Sequence, residues 1–148
     1  MNYRAYLISF ATVLIMLFTH QEATAQEFGL TLEATDGVNA ADLTVGVHPE
    51  GGVPFNPDLD QFAPPAPPSG AFDARISVGD EDYFTKYLDN SIEAKSFAIS
   101  YASAAGEAPV SFSWNPEGLE ELGSFTIQDP FGGDIVSEAL TDFDGSFT

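Results

Sequence analysis

The sequence predicts an all-β domain folded as an antiparallel β-sandwich, and three observations carry that expectation. Apolar and polar residues alternate in short runs, clusters of Gly, Pro, Asn and Asp separate the runs, and no stretch of ten or more residues after position 25 holds a helical stripe. Period-two alternation is what a strand needs when one face meets a core and the other meets water. Seven or eight such runs at regular spacing suit two packed sheets.

Taken in order, Phe28, Leu30, Leu32 and Ala34 share one face of the first run. Thr35-Asp36-Gly37-Val38-Asn39 reads as a turn, and Leu43, Val45 and Val47 alternate in the second run, so the two runs are expected to form a hairpin. From Pro49 to Gly70 the chain changes character. Ala63-Pro64-Pro65-Ala66-Pro67-Pro68 cannot donate ladder hydrogen bonds and favours polyproline II, so residues 49–70 read as a Pro-rich insert. The strand pattern resumes with Phe72, Ala74, Ile76 and Val78, continues more weakly over Tyr83–Leu88, and returns in Phe97, Ile99 and Tyr101.

Gly106-Glu107-Ala108-Pro109 makes a connection to a strand carrying Val110, Phe112 and Trp114, which Asn115-Pro116-Glu117-Gly118 ends. Leu119-Glu120-Glu121-Leu122-Gly123 is too short for a free helix. Phe125 and Ile127 mark another strand, Asp129-Pro130-Phe131-Gly132-Gly133 a tight turn, and Ile135, Val136 and Ala139 a further strand. The core is expected to hold Leu30, Leu32, Val45, Phe72, Ile76, Phe97, Ile99, Val110, Phe112, Trp114, Phe125 and Ile127. Residues 140–148 stop on the approach to one more strand. That predicts a sandwich lacking its last strand: a fragment of a longer protein, or a chain whose open edge another segment closes.

The amino terminus has the form of an export signal. Met1–Arg4 is a short positive region, Tyr6–Phe18 is apolar apart from Ser9 and Thr12, and Ala23-Thr24-Ala25 is a small-residue cleavage site. A spanning helix needs about 20 apolar residues, and His20-Gln21-Glu22 intervenes before that length is reached. The expectation is a signal peptide over 1–25 and one β domain over 26–148, with no transmembrane segment after cleavage. The destination is extracytoplasmic: periplasm, cell surface or extracellular space.

The net charge is −19, and loss of Arg4 and Glu22 with the signal leaves it unchanged, with Arg75, Lys86 and Lys95 as the remaining lysines and arginines. Such a field repels nucleic acid and attracts cations. There is no cysteine, which excludes disulfides, thiolate metal sites and a Cys nucleophile. His48 is the one histidine after the signal. It sits in Val47-His48-Pro49-Glu50-Gly51-Gly52 with no Gly-x-Ser-x-Gly elbow anywhere, so it is expected to be a solvent-exposed loop residue.

Three acidic groups are candidate Ca²⁺ ligands: Asp58 with Asp60, Asp80-Glu81-Asp82, and Asp142 with Asp144. Calcium takes six to eight oxygens. Asp142-Phe143-Asp144-Gly145-Ser146 opens like a calcium loop without the ligands that complete one, and Asp80–Asp82 reads equally as a charged turn. No other cofactor is expected. Paired carboxylates also raise glycoside hydrolysis, but in so acidic a chain some pair falls at a suitable separation by chance. Trp114 with Tyr83, Tyr87 and Tyr101 could form a sugar-stacking platform; Trp114 shares a face with Val110 and Phe112, which favours core packing. Arg75 lies two positions from Asp73 on one strand face and is expected to form a fixed ion pair with a carboxylate.

The order of residues from Pro57 to Arg75 (an acidic pair, prolines, Gly70, then Phe72-Asp73-Ala74-Arg75 opening a strand) resembles a signature of secreted immunoglobulin-like β-sandwich modules in Bacteroidota-type bacteria. Such modules often sit in proteins exported through the type nine secretion system. Leu43–Val47, Val110–Pro116 and Gly123–Asp129 are similar to the strands around that signature, so the resemblance covers most of Phe28 to Val136. A C-terminal sorting domain of the kind those proteins carry does not follow. The resemblance implies a noncatalytic architectural or binding module, part of a larger exported protein, with a protein or glycan partner at the cell surface. The alternative is a small secreted glycan-binding or glycan-active domain.

Overall fold

The computed structural model describes residues 27–134, 136–141 and, as backbone, 146–147; the expected signal peptide, Ile135 and the Asp142/Asp144 pair lie outside the described residues. The fold is all-β. Strands run over Phe28–Thr35 (β1), Ala40–Val47 (β2), Gln61–Phe62 (β3), Asp73–Val78 (β4), Glu81–Leu88 (β5), Ala98–Ala102 (β6), Ser111–Trp114 (β7), Thr126–Gln128 (β8), Ser137–Ala139 (β9) and Ser146–Phe147 (β10). A single helical turn, Leu119–Leu122 (α1), follows Gly118, whose φ of 81° is a conformation that glycine tolerates best.

The main sheet runs β10-β7-β1-β2-β5-β4-β6, β3 joins it along β5, and β8 pairs with β9 as a separate hairpin. The expected early hairpin is β1–β2, with Phe28 opposite Val47, Leu30 opposite Val45 and Leu32 opposite Leu43, so the apolar sets of both strands share one face. On the other face Thr31 and Thr44 exchange a hydrogen bond at 2.9 Å.

The expectation of a wholly antiparallel arrangement is corrected at β2–β5, which pair in parallel from Thr44↔Thr85 to Val47↔Leu88. Parallel neighbours need a long crossover, and residues 48–80 supply one. The sheet is therefore mixed, and it is curled. Glu81–Tyr83 pair with β4, while Thr85–Leu88 pair with β2. Against β3 the register shifts at Phe84: Phe62 faces Tyr83 and Gln61 faces Thr85. Such an irregularity re-aims the side chains that follow it. Lys86, which strict alternation would put on the face opposite Tyr83, instead stands over the Tyr83 ring at 4.9 Å from its centroid.

Of the expected core, Leu30, Leu32, Ile76, Val110, Phe112 and Trp114 are buried. Val45, Phe72, Phe97, Ile99, Phe125 and Ile127 are only partly so, packed at the margin of the cluster. Leu43, Ala34, Ala74, Tyr83, Leu119 and Leu140 complete it. Trp114 is fixed by its indole N–H, which donates to the Leu140 carbonyl at 2.9 Å. Among the described residues no helix is long and apolar enough to cross a membrane.

Candidate functional site

The half-buried members of the expected core explain themselves by what they border. Val45, Phe97, Ile99, Phe125 and Ile127 line a cleft of about 1010 Å³. One wall is the apolar face of β1–β2 with Phe112; the facing walls are the 91–98 segment, β6 and the β8–β9 hairpin. The hairpin is held in place at one end by the Phe28–Phe125 edge-to-face pair, 5.0 Å between centroids, and by the Trp114 indole N–H on the Leu140 carbonyl at 2.9 Å, and its own strands are closed there by Leu140 N–H donating to the Phe125 carbonyl at 3.0 Å. Alternation thus produces an apolar lining on strands that are not pressed together, and the cleft lies at the upper end of the 300–1,000 Å³ range of small-ligand pockets.

Polar side chains also line this cleft, among them Glu93, Ser91, Lys95 and Asp129, and the last three have structural partners. Lys95 Nζ donates to Asp89 Oδ1 at 2.8 Å and to Ser91 Oγ at 2.6 Å, closing the 89–95 loop. The Lys95 bond, with those from Ser91, holds the Asp89 carboxyl well below the usual carboxylate range. Asp129 accepts the Phe131 N–H and the Val136 N–H, both at 2.7 Å, and so shapes the β8–β9 turn. Ile92 on the cleft lining is 72% exposed, and Phe131, next to the lining residue Pro130, is 70% exposed, so apolar side chains flank the cleft.

A second cluster fastens the Pro-rich insert to the sheet. Lys86 and Asp60 have fully buried side chains with Nζ 2.6 Å from Oδ2. Nζ also donates to the Gly52 carbonyl at 2.6 Å. Asp60 accepts the Asn56 N–H on Oδ2 at 2.8 Å and the Tyr87 N–H on Oδ1 at 3.0 Å. Phe55, Phe62 and Tyr83 stack in series, at 4.2 and 5.0 Å between centroids, beside the pair.

Sequence reasoning assigned Lys86 no role. The Asp60 carboxylate, weighed as a calcium ligand with Asp58, is committed to Lys86, while Asp58 is exposed. No sequence signal ties positions 60 and 86 except the scarcity of cations, which leaves few partners for any buried carboxylate.

The ion pair expected of Arg75 is present, twice over. Its guanidinium donates from Nε and Nη2 to Asp73 at 2.8 and 2.6 Å, and from Nη1 to Asp82 at 3.1 Å and the Pro64 carbonyl at 3.0 Å. Asp82 also accepts the Ser77 hydroxyl at 2.7 Å, and that bond, with Arg75, outweighs burial and lowers its pKa. Within the Asp80-Glu81-Asp82 group, then, Asp82 faces Arg75, Glu81 accepts the Tyr83 hydroxyl at 2.6 Å, and Asp80 is exposed. Among the described residues no three carboxylate or imidazole groups converge as a metal site would require.

Of the four rings weighed as a sugar platform, Trp114 packs in the core as its shared face with Val110 and Phe112 favoured. Trp114 and Tyr83 are buried, Tyr87 is half-buried, and Tyr101 is 55% exposed beside the cleft with its ring edge-on to Phe112. His48 is also more sheltered than a free loop residue. Its ring meets Tyr87 edge-on, Nδ1 accepts the Glu50 N–H at 3.1 Å, and Nε2 lies 3.3 Å from Glu27. The physical reason is the parallel β2–β5 pairing, which brings Tyr87 beside the end of β2. Comparison with family models, with curated proteins and with solved structures finds no match for this chain.

Proposed function

We propose that this protein is a noncatalytic secreted or cell-surface module of the immunoglobulin-like β-sandwich kind, akin to those of Bacteroidota-type exported proteins, and that it works by binding through its cleft. The observation that carries this reading is the cleft itself: its lining is more apolar than polar, the inner faces of β1, β2 and β6 supply much of that apolar area, and Lys95 and Asp129 are engaged in shaping its rim. Catalysis asks for convergent polar groups with freedom to act on a substrate, whereas apolar recognition asks for area removed from water. The exposed Ile92 and Phe131 extend that area beyond the lining.

An environment-sensitive apolar dye is expected to bind saturably with one site per chain. Ile127→Asp, on a strand of the separate β8–β9 hairpin, is expected to weaken the dye at least about tenfold, a change of about 1.4 kcal/mol, while the far-ultraviolet circular dichroism is retained. Dye displacement by soluble oligosaccharides, with loss of that displacement in Tyr101→Ala, would favour the glycan-binding alternative. Polysaccharide hydrolysis abolished by Glu93→Gln, at an exposed carboxylate on the cleft lining, would overturn the noncatalytic reading.

A further inference from the structure

Beyond the binding role, one buried pair has the geometry of a reaction. We propose that Lys86 and Asp60 condense with each other to an isopeptide bond, formed by the protein on itself, so that the Pro-rich insert becomes covalently stapled to β5. The amine nitrogen and the carboxyl oxygen are 2.6 Å apart, and both side chains are excluded from solvent. Asp60 is immobilised by two backbone donors, Tyr87 N–H on Oδ1 and Asn56 N–H on Oδ2. The Tyr83 ring lies against Nζ, with Phe62 and Phe55 stacked behind it.

Amine and carboxylic acid do not condense spontaneously in dilute water, because each is hydrated and charged and the encounter is bimolecular. The site removes the bimolecular encounter and the hydration, leaving the charges to be neutralised between the two groups themselves. Two groups held in a reactive geometry act at effective molarities of about 10⁵–10⁸ M, and the burial of both removes the hydration that favours the charged pair over the neutral one. The chain has no cysteine with which to make a disulfide staple.

The step balances within the site. A proton passes from Nζ to Asp60 Oδ2 along the existing hydrogen bond, leaving a neutral amine and a neutral acid. The Nζ lone pair attacks Cγ; the N–C bond forms as the carbonyl π pair moves onto Oδ1, where the Tyr87 N–H meets the developing charge. A second Nζ proton moves to the Oδ2 hydroxyl, the Cγ–Oδ2 bond breaks, and one water leaves as the carbonyl re-forms. One N–C bond is made, one C–O bond is lost, and nothing is oxidised or reduced. The remaining amide N–H keeps the Gly52 carbonyl as its acceptor.

The test is the intact mass of the purified chain under denaturing conditions. The wild type is expected to be lighter than its sequence by one water, and a protease digest is expected to yield a branched species joining the peptides that contain Asp60 and Lys86. Lys86→Arg is expected to restore the full sequence mass. Asp60→Asn is expected to lose ammonia in place of water, because the amide nitrogen then leaves. A wild type that keeps its full mass after prolonged incubation in the folded state overturns the proposal, whatever the variants do. So does a water loss that persists in Lys86→Arg, which would place the dehydration at a cyclised aspartyl elsewhere.

Discussion

Asp36 closes the β1–β2 turn and reaches across the molecule. Its Oδ1 accepts the Val38 and Asn39 N–H groups, and its Oδ2 accepts the Ala104 N–H at 2.9 Å, 68 residues away in sequence. Burial acts to raise its pKa, but the bonds from Ala104, Asn39 and Val38 outweigh it and hold the group at about 2, below the ordinary 3.8. A carboxyl depressed on folding contributes stability that is complete above its unfolded pKa and is lost as pH falls through its folded one. Asp36→Ala is therefore expected to lower the thermal midpoint at pH 7 and to narrow its gap to the wild type as the pH drops from 3.8 to about 2. Thermal melts of both proteins across that range check it; a gap independent of pH would show that the turn does not need the charge. The turn was legible from Thr35–Asn39, but the long-range partner was not, because a backbone N–H on a distant loop leaves no mark in side-chain composition.

At the scale of elements, the parallel β2–β5 pairing rests on two glycines. Gly29 faces Gly46 across β1–β2, Gly46 in turn faces Tyr87 on β5, and the Tyr87 ring lies over both. A Cβ on Gly29 would collide with the Tyr87 hydroxyl, the far end of a side chain; a Cβ on Gly46 would collide with the backbone carbonyl of Phe28 as well as the ring. Overpacking typically costs about 1–3 kcal/mol. Gly46→Ala is expected at the upper end and Gly29→Ala at the lower, with Tyr87→Phe relieving Gly29→Ala more than Gly46→Ala in urea titrations. Equal relief would refute the backbone clash.

These contacts also show where the sequence stops being readable. The β1–β2 hairpin, β4, β6, β7 and β8 follow from local alternation and turn residues, whereas the single turn of α1 forms in a segment read as too short for a free helix. The parallel pairing, the shift at Phe84 and the burial of Asp60 and Lys86 depend on where the 48–80 crossover returns, which no local pattern encodes. The cleft was misread as filled core for a related reason: alternation identifies which residues face inward, not how closely the facing strands approach.

The whole molecule carries a net charge of −19, and the lysines and arginine of the described residues are already spent locally. Arg75 is bound to Asp73 and Asp82, Lys86 to Asp60, and Lys95 to Asp89. Most of the remaining carboxylates are exposed, and so many charges of one sign on one small domain repel one another, which opposes the compact state. Screening shortens the reach of that repulsion from about 10 Å at 0.1 M salt to about 3 Å at 1 M, while the Lys86–Asp60 pair, with both side chains fully buried, changes little. Thermal stability is therefore expected to rise with sodium chloride, by about 5 °C for each kcal/mol of repulsion removed, and to rise equally with potassium chloride. Calcium separates field from site. If Asp80, Glu81 and Asp82 only add to the general charge, calcium acts at millimolar levels through ionic strength alone. A stabilisation that saturates at micromolar calcium and vanishes in Asp80→Asn would place a specific cation in the β4–β5 turn, in which case Asp82 would have to release Arg75 to take part.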